Sequence, residues 1–325
     1  MRRYLLLIFR LSLGVGLLAY VLATNFGRAA AKPLLSQIWI LPALAGFLLF
    51  GAAIESIRLG LLLDSQGVRL SFGQRYRLVS VGMFFSFCLP GGTGGDVVKL
   101  YYLASDNRGR GIELAMILLI DRVIALFSLI TLASGFTLLE GHLLREHALI
   151  QWLVIGSAAV IGVGMLVATA LCSNAIRASS VFRSLVCRLP FHHSFERASD
   201  ALYHFRTHKR VLMLAALVCL LGHLALAGMF RFVGAIFIPQ AVGLTTPVLA
   251  LFGMLANALP ITPGGLGVGE VAFDRLFNMA GFAGGALLLL AWRIALLPVC
   301  AIGCVFYVTG MKRVGFPTNA QVSVK

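Results

Sequence analysis

Charge is scarce in this chain of 325 residues, and acid is scarcer than base: Asp and Glu number 12, against 27 Lys and Arg. Charged residues make up 12% of the chain and hydrophobic ones 59%, with a mean hydropathy of +0.94. No long polar block is present to form a separate soluble domain. A water-soluble core cannot absorb that much apolar surface, so the composition defines an integral membrane protein with one membrane domain, residues 1–325. No CxxC pair occurs among Cys88, Cys172, Cys187, Cys219, Cys300 and Cys304. Most lie in apolar stretches, so they read as buried or lipid-facing thiols and not as a disulfide frame or metal site. His192, His193, His204 and His208 lack a carboxylate or cysteine set at ligand spacing, so no metal is expected. There is no Ser-His-Asp set or carboxylate pair at membrane depth either. The chain is therefore not expected to be an enzyme or to carry a cofactor.

What is present is a series of apolar runs. Leu5–Ala23, Ile38–Ile57, Leu114–Leu138, Leu149–Cys172, Val211–Val233 and Gly285–Val308 are each long enough for the roughly 20 residues a bilayer requires. The first follows a basic Met-Arg-Arg-Tyr start without a clear cleavage site, and reads as an uncleaved helix. Two further stretches, Val79–Leu103 and Pro247–Ala280, are each interrupted by a glycine-rich elbow. The expected fold class is thus an all-α polytopic membrane protein with two re-entrant or broken helical hairpins.

The elbows are Pro90-Gly91-Gly92-Thr93-Gly94-Gly95-Asp96 and Pro263-Gly264-Gly265-Leu266-Gly267-Val268-Gly269-Glu270. Each begins 32 residues after an arginine, Arg58 or Arg231, and precedes another, Arg122 or Arg293, by about 30. The surroundings of Arg122 and Arg293 are also alike. An intramembrane arginine costs roughly 2.5–3.5 kcal/mol even on the lenient insertion scale, so matched arginines are a costly coincidence. These offsets point to a duplication, with a first repeat over about 38–138 and a second over about 211–310.

Lys and Arg give the orientation. Arg2, Arg3, Arg69, Arg75, Arg77, Lys99, Arg108, Arg110, the basic linker of residues 173–210, Lys312 and Arg313 all fall on one side if six runs cross and two elbows re-enter. Both termini are then expected to be cytoplasmic, and the repeats to be inverted. Within the linker, Ser194–Arg210 has the pattern of an amphipathic interfacial helix. The net charge of +15 is explained by this bias and by anionic headgroups, without nucleic acid.

Glycine-rich turns that open a helix present free N–H groups and a positive dipole end, which suits phosphate. Thr93 adds a hydroxyl, and arginine forks bind phosphate or carboxylate bidentately. The candidate substrate-binding residues are Gly91, Gly92, Thr93, Gly94, Gly95, Asp96, Lys99, Arg122, Gly264, Gly265, Gly267, Gly269, Glu270, Arg293, Arg58 and Arg231. The alternative reading is internal: Asp96 and Glu270 cap their helices or neutralise Arg122 and Arg293, and Glu55 pairs with Arg58 one turn away. Lys99 is then either a substrate cation or the partner of Asp96, while Asp121 needs a partner other than its neighbour Arg122. The first elbow lacks the Gly-Lys-Ser/Thr ending of a nucleotide loop, and no βαβ unit surrounds the second.

Leu89-Pro-Gly-Gly-Thr-Gly-Gly-Asp96, the Asp121-Arg122 pair and Ile261-Thr-Pro-Gly-Gly-Leu-Gly-Val-Gly-Glu270 resemble the flippase-like transmembrane domain of bacterial lysylphosphatidylglycerol synthases and its stand-alone relatives. The resemblance runs from roughly Gly46 to Met311. It implies movement of a lipid between leaflets through a cavity formed by inverted, re-entrant helices, lined by the elbow glycines, Asp96, Arg122, Glu270 and Arg293. No aminoacyltransferase domain follows the membrane part, so synthesis of lysyl-lipid is not expected. The expected function is a flippase or transporter of a phosphate-bearing lipid in the bacterial cytoplasmic (inner) membrane. Its expected partners are membrane phospholipids, with a possible homo-oligomer. The alternatives are an integral-membrane enzyme acting on a lipid-linked substrate, a secondary transporter of a small anion, and an accessory protein of envelope assembly.

Overall fold

A computed structural model describes residues 36–88, 94–172, 208–241, 243–259 and 262–309. Apolar run length determines which helices can cross a bilayer. The described chain forms α1 (Ile40–Ser65), α2 (Phe72–Cys88), α3 (Gly94–Asp106), α4 (Gly111–Leu139), the short α5 (Gly141–Glu146), α6 (Ala148–Cys172), α7 (Lys209–Phe237), α8 (Thr245–Asn257), a 3-10 turn at Pro263–Gly265, α9 (Val268–Met279) and α10 (Gly285–Val308). Every described element is helical. Five helices (α1, α4, α6, α7 and α10) are long and apolar enough to cross a membrane. At 1.5 Å per residue, the 26 residues of α1 reach about 39 Å, beyond the roughly 30 Å of a hydrocarbon core. The 13 residues of α8 reach about 20 Å and cannot cross alone. The protein is an all-α polytopic membrane protein, as its composition requires. The expected span Leu5–Ala23, the linker and amphipathic segment up to residue 207, and Gly91, Gly92 and Thr93 lie outside the described residues, while Lys209 and Arg210 open α7.

The order long helix, short helix, elbow, short helix, long helix occurs twice, as α1–α4 and as α7–α10. The packing between these sets is reciprocal. α1 lies on α7, α2 lies on α10 while α8 lies on α4, and α10 lies on α1 while α4 lies on α7. In each set the two short helices pack on one another, α2 with α3 and α8 with α9.

Side-chain ties show where each short pair begins. At the start of α2, Arg75 pairs with Asp64 at the end of α1, at 2.7 Å. Arg110, beside the start of α4, donates to the Gln66 carbonyl just after α1 at 2.8 Å. Arg77 lies over Phe306, near the end of α10, at 5.6 Å. By contrast, α8 begins where α4 ends, and Thr245 Oγ1 donates to Glu140 Oε1 at 3.1 Å. The two short-helix pairs therefore start at opposite ends of α4.

The expected boundary at Val79 differs from the observed start of α2 at Phe72. The extra turns carry Gln74, Arg75 and Arg77, which hydropathy alone reads as loop. Ser71 and Gln74 form a reciprocal cap, with Ser71 N–H donating to Gln74 Oε1 at 2.7 Å and Gln74 N–H to Ser71 Oγ at 3.3 Å.

Burial is uneven. The largest apolar cluster joins α4 and α7–α10 through residues such as Phe230, Phe273 and Leu288. A second binds α1, α2 and α4, and a smaller one joins α2 to α10. α6 packs only on α4 and α5 among the stronger contacts, leaving Ile155, Val163 and Leu166 exposed as a lipid-facing surface. Trp39 and Trp152, exposed near the starts of α1 and α6, suit an interfacial aromatic belt.

Candidate functional site: a charged cavity between the elbows

Glycine backbone shapes the described part of each elbow. At the second, Gly264, Gly265 and Gly267 have φ of 56°, 72° and 82°, which L side chains rarely adopt. At the first, a methyl on Gly95 would come within 2.2 Å of the Gly82 carbonyl oxygen, so glycine lets α3 meet α2 backbone to backbone.

One cavity of about 390 Å³ touches both elbows. Its wall includes Glu55 and Arg58 of α1, Asp96 and Lys99 of α3, and Asp121 and Arg122 of α4. The second half supplies Asn257, Gly264, Gly265, Trp292 and Arg293. Apolar side chains complete it, among them Leu126 and Leu259, which are 43% and 50% exposed and carry the wall to the protein surface. The volume lies within the roughly 300–1,000 Å³ of ligand pockets.

The cations in this wall are paired, because an unpaired charge at this depth costs several kcal/mol. Arg58 forms a fork with Asp121, Nε to Oδ1 at 2.6 Å and Nη2 to Oδ2 at 2.7 Å. Its Nη1 also lies 2.9 Å from Cys219 Sγ. This corrects the expected Glu55–Arg58 pair. The fork takes Arg58 across to α4, and Glu55 instead accepts from Lys99 at 2.6 Å. Asp96, in the first turn of α3, accepts from Arg122 Nε and lies 3.6 Å from Lys99. Asp121 thus finds its partner on α1 and not beside itself.

At the second elbow, Arg293 is almost wholly enclosed. Its Nη1 donates to the Gly264 carbonyl at 2.7 Å, and its Nη2 donates to the Gly265 carbonyl at 3.0 Å and Asn257 Oδ1 at 2.8 Å. Nε lies 2.6 Å from Glu270 Oε1, close but outside hydrogen-bond alignment, while Nη2 donates to Oε2 at 3.3 Å. Glu270 Oε2 also accepts the Gly267 N–H at 2.8 Å, so it caps α9 and neutralises Arg293 together. The N–H group that the sequence offered to an outside anion is occupied by the protein's own carboxylate. Gly269 packs against Asn257, Leu289 and Arg293.

The structure gathers Arg58, Asp96, Lys99, Arg122, Gly264, Gly265 and Arg293 at the cavity wall. Gly94 and Gly95 form the buried start of α3, and Gly267, Gly269 and Glu270 lie directly behind the second elbow. Arg231, half-buried on α7, is not among the wall residues. The position matching Asp121 in the second half is Trp292, so the acid that draws Arg58 into the cavity has no counterpart for Arg231. Sequence reasoning missed Asn257, His223, Ser86 and Trp292 as wall residues. Asn257 and His223 were detectable as lone polar residues in apolar runs, but Trp292 was masked by its hydrophobic surroundings. Among the described residues no cluster of three or more metal-ligating side chains occurs.

The sequence of this chain matches the family described as the lysylphosphatidylglycerol synthase transmembrane region over residues 7–303. That range covers most of the 325 residues, and the protein belongs to this family. No curated protein and no solved structure matches the chain.

Proposed function

We propose that the protein moves a phosphate-bearing lipid between the leaflets of a membrane, the headgroup crossing through the cavity between the elbows while the acyl tails stay in lipid. The observation that carries this reading is the composition of one wall: arginines and lysine within, and surface-reaching Leu126 and Leu259 at the rim. Cationic forks suit a phosphate, and an apolar rim suits the tails. Membership of a lipid-associated membrane family supports the same reading.

On this proposal the two halves are inverted repeats related by an axis in the membrane plane, with both short pairs re-entrant. The cytoplasmic membrane of a bacterium, with the basic helix ends inside, is the proposed location. The protein acts as a transporter and leaves its substrate chemically unchanged.

The test is transfer of a fluorescent phosphatidylglycerol between leaflets of proteoliposomes, read by dithionite quenching. Wild type is expected to raise the rate above that of protein-free vesicles. Arg122→Ala is expected to lower it to near background while remaining folded, and Arg293→Ala to lower it by loosening the second elbow. Unchanged transfer in both variants would contradict the site.

A further inference from the structure

The two elbows meet at one cavity but differ in chemistry. Position by position, the second half keeps the acid that opens the helix (Asp96, Glu270) and the arginine that binds it (Arg122, Arg293). It replaces the rest. Three residues before the first arginine stand Glu55 and Gly228, three after the acid stand Lys99 and Phe273, and just before the second arginine stand Asp121 and Trp292. Lys99 and Phe273 are placed alike, each against a glycine of the preceding short helix: a methyl on Gly82 would meet Lys99 Cε at 2.4 Å, and one on Gly253 would meet the Phe273 ring at 2.5 Å. The Glu55–Lys99 and Arg58–Asp121 ion pairs thus belong to the first half alone.

The retained arginines differ as well. The Arg122 side chain is 37% exposed and lies on the cavity wall, whereas that of Arg293 is 2% exposed and clasped to two elbow carbonyls, Asn257 and Glu270. We propose that the lipid phosphate binds at the first elbow only, on Arg122, displacing Asp96 toward Lys99, while Arg293 is a positioning residue that holds the second elbow in shape. This rests on the transport reading and assigns its anion site. Asp96 is a resident carboxylate in the place a phosphate would take. When displaced it has Lys99 already 3.6 Å away, and Glu55 holds Lys99 in place at 2.6 Å. The exchange leaves no lone carboxylate in a low-dielectric wall, which is the condition for its being reversible. Among the described residues Glu270 has no ion pair besides Arg293, and Phe273 stands where Lys99 would be.

The test uses Trp292, which lines the cavity, as the sole tryptophan, excited at its red edge, in a Trp39→Phe/Trp152→Phe background in detergent. Dihexanoyl phosphatidic acid is titrated, with dihexanoylglycerol as the phosphate-free control. Asp96→Asn is expected to tighten phosphatidic acid binding several-fold by removing the competitor, and Glu270→Gln is expected not to tighten it. Arg122→Gln is expected to weaken binding at least about tenfold and to erase the preference over dihexanoylglycerol, as loss of a charge-assisted contact should. Arg293→Lys is expected to keep that preference. Tightening by Glu270→Gln without tightening by Asp96→Asn, or equal responses at both elbows, overturns the proposal. The Asp96 and Glu270 arms decide the matter even if an arginine variant fails to fold. Binding is read without transfer, so a lack of transfer in vesicles contradicts the transport reading alone, and a reversed binding pattern contradicts this one.

Discussion

The α1–α4 half and the α7–α10 half have the same order of helices and opposite solutions to burying charge. In the first half three cations and three carboxylates, from α1, α3 and α4, are arranged along the cavity wall. In the second, a single arginine is folded into the elbow and surrounded by backbone carbonyls, with Phe273 and Phe277 stacked in the core behind it. The first arrangement leaves one arginine, Arg122, 37% exposed on the cavity wall, while Arg58 and Lys99 stay buried in ion pairs. The second uses charge to fix a turn. A shared scaffold therefore does not imply a shared role for each matched residue, and exposure separates the arginine that can exchange partners from the one that cannot.

Breaking the more buried of the two pairs that only the first half possesses should give the largest effect. Arg58→Ala leaves Asp121 buried without its fork, and a loss of about 3–5 kcal/mol is expected from orphaning one member of such a pair. Thermal unfolding in detergent reads this, and the paired apolar replacement Arg58→Met/Asp121→Leu should restore most of the loss. If the single and double variants unfold alike, the pair is not what holds α1 to α4.

Next in size is the contrast between the glycines at which the short helices meet. Gly95→Ala drives a methyl into the backbone of Gly82, whereas Gly253→Ala meets the movable ring of Phe273. Overpacking typically costs about 1–3 kcal/mol, and Gly95→Ala should lie at or above the top of that range, with Gly253→Ala nearer the bottom. A reversed order of melting temperatures would show that the second pair is the tighter of the two.

The smallest expected effect is at the tie between α4 and α8. Thr245→Val removes one hydrogen bond to Glu140 and should cost about 0.5–1.5 kcal/mol. A negligible change would mean that α8 is seated by apolar packing alone.

Much of this was legible in the sequence. The five long described helices follow apolar run length, and the second elbow follows its glycines, because both signals are local. The pairing Asp96–Arg122 and Glu270–Arg293 was foreseen as an alternative to ligand binding, since an acid at a helix start and an arginine in an apolar run each need a partner. The pairing of Arg58 was not: an i,i+3 neighbour was available in Glu55, and the preference for Asp121, 63 residues away, depends on how α1 meets α4. Arg231 was matched to Arg58 by offset, but offset cannot show that the counter-ion at position 292 has become a tryptophan with a different use. The charged turns at the start of α2 were missed for the opposite reason, as their cap is local but polar.

On the proposed inverted-repeat architecture, the two short-helix pairs enter from opposite faces of the membrane and meet at one cavity. Labelling by a membrane-impermeant maleimide tests it most directly, using Ser105→Cys at the end of α3 and Ala283→Cys just before α10, each in a cysteine-free background. In sealed vesicles of known orientation, the account predicts that Ser105→Cys is labelled from the side that bears the basic helix ends and Ala283→Cys only from the other. Labelling of both from the same side would contradict it.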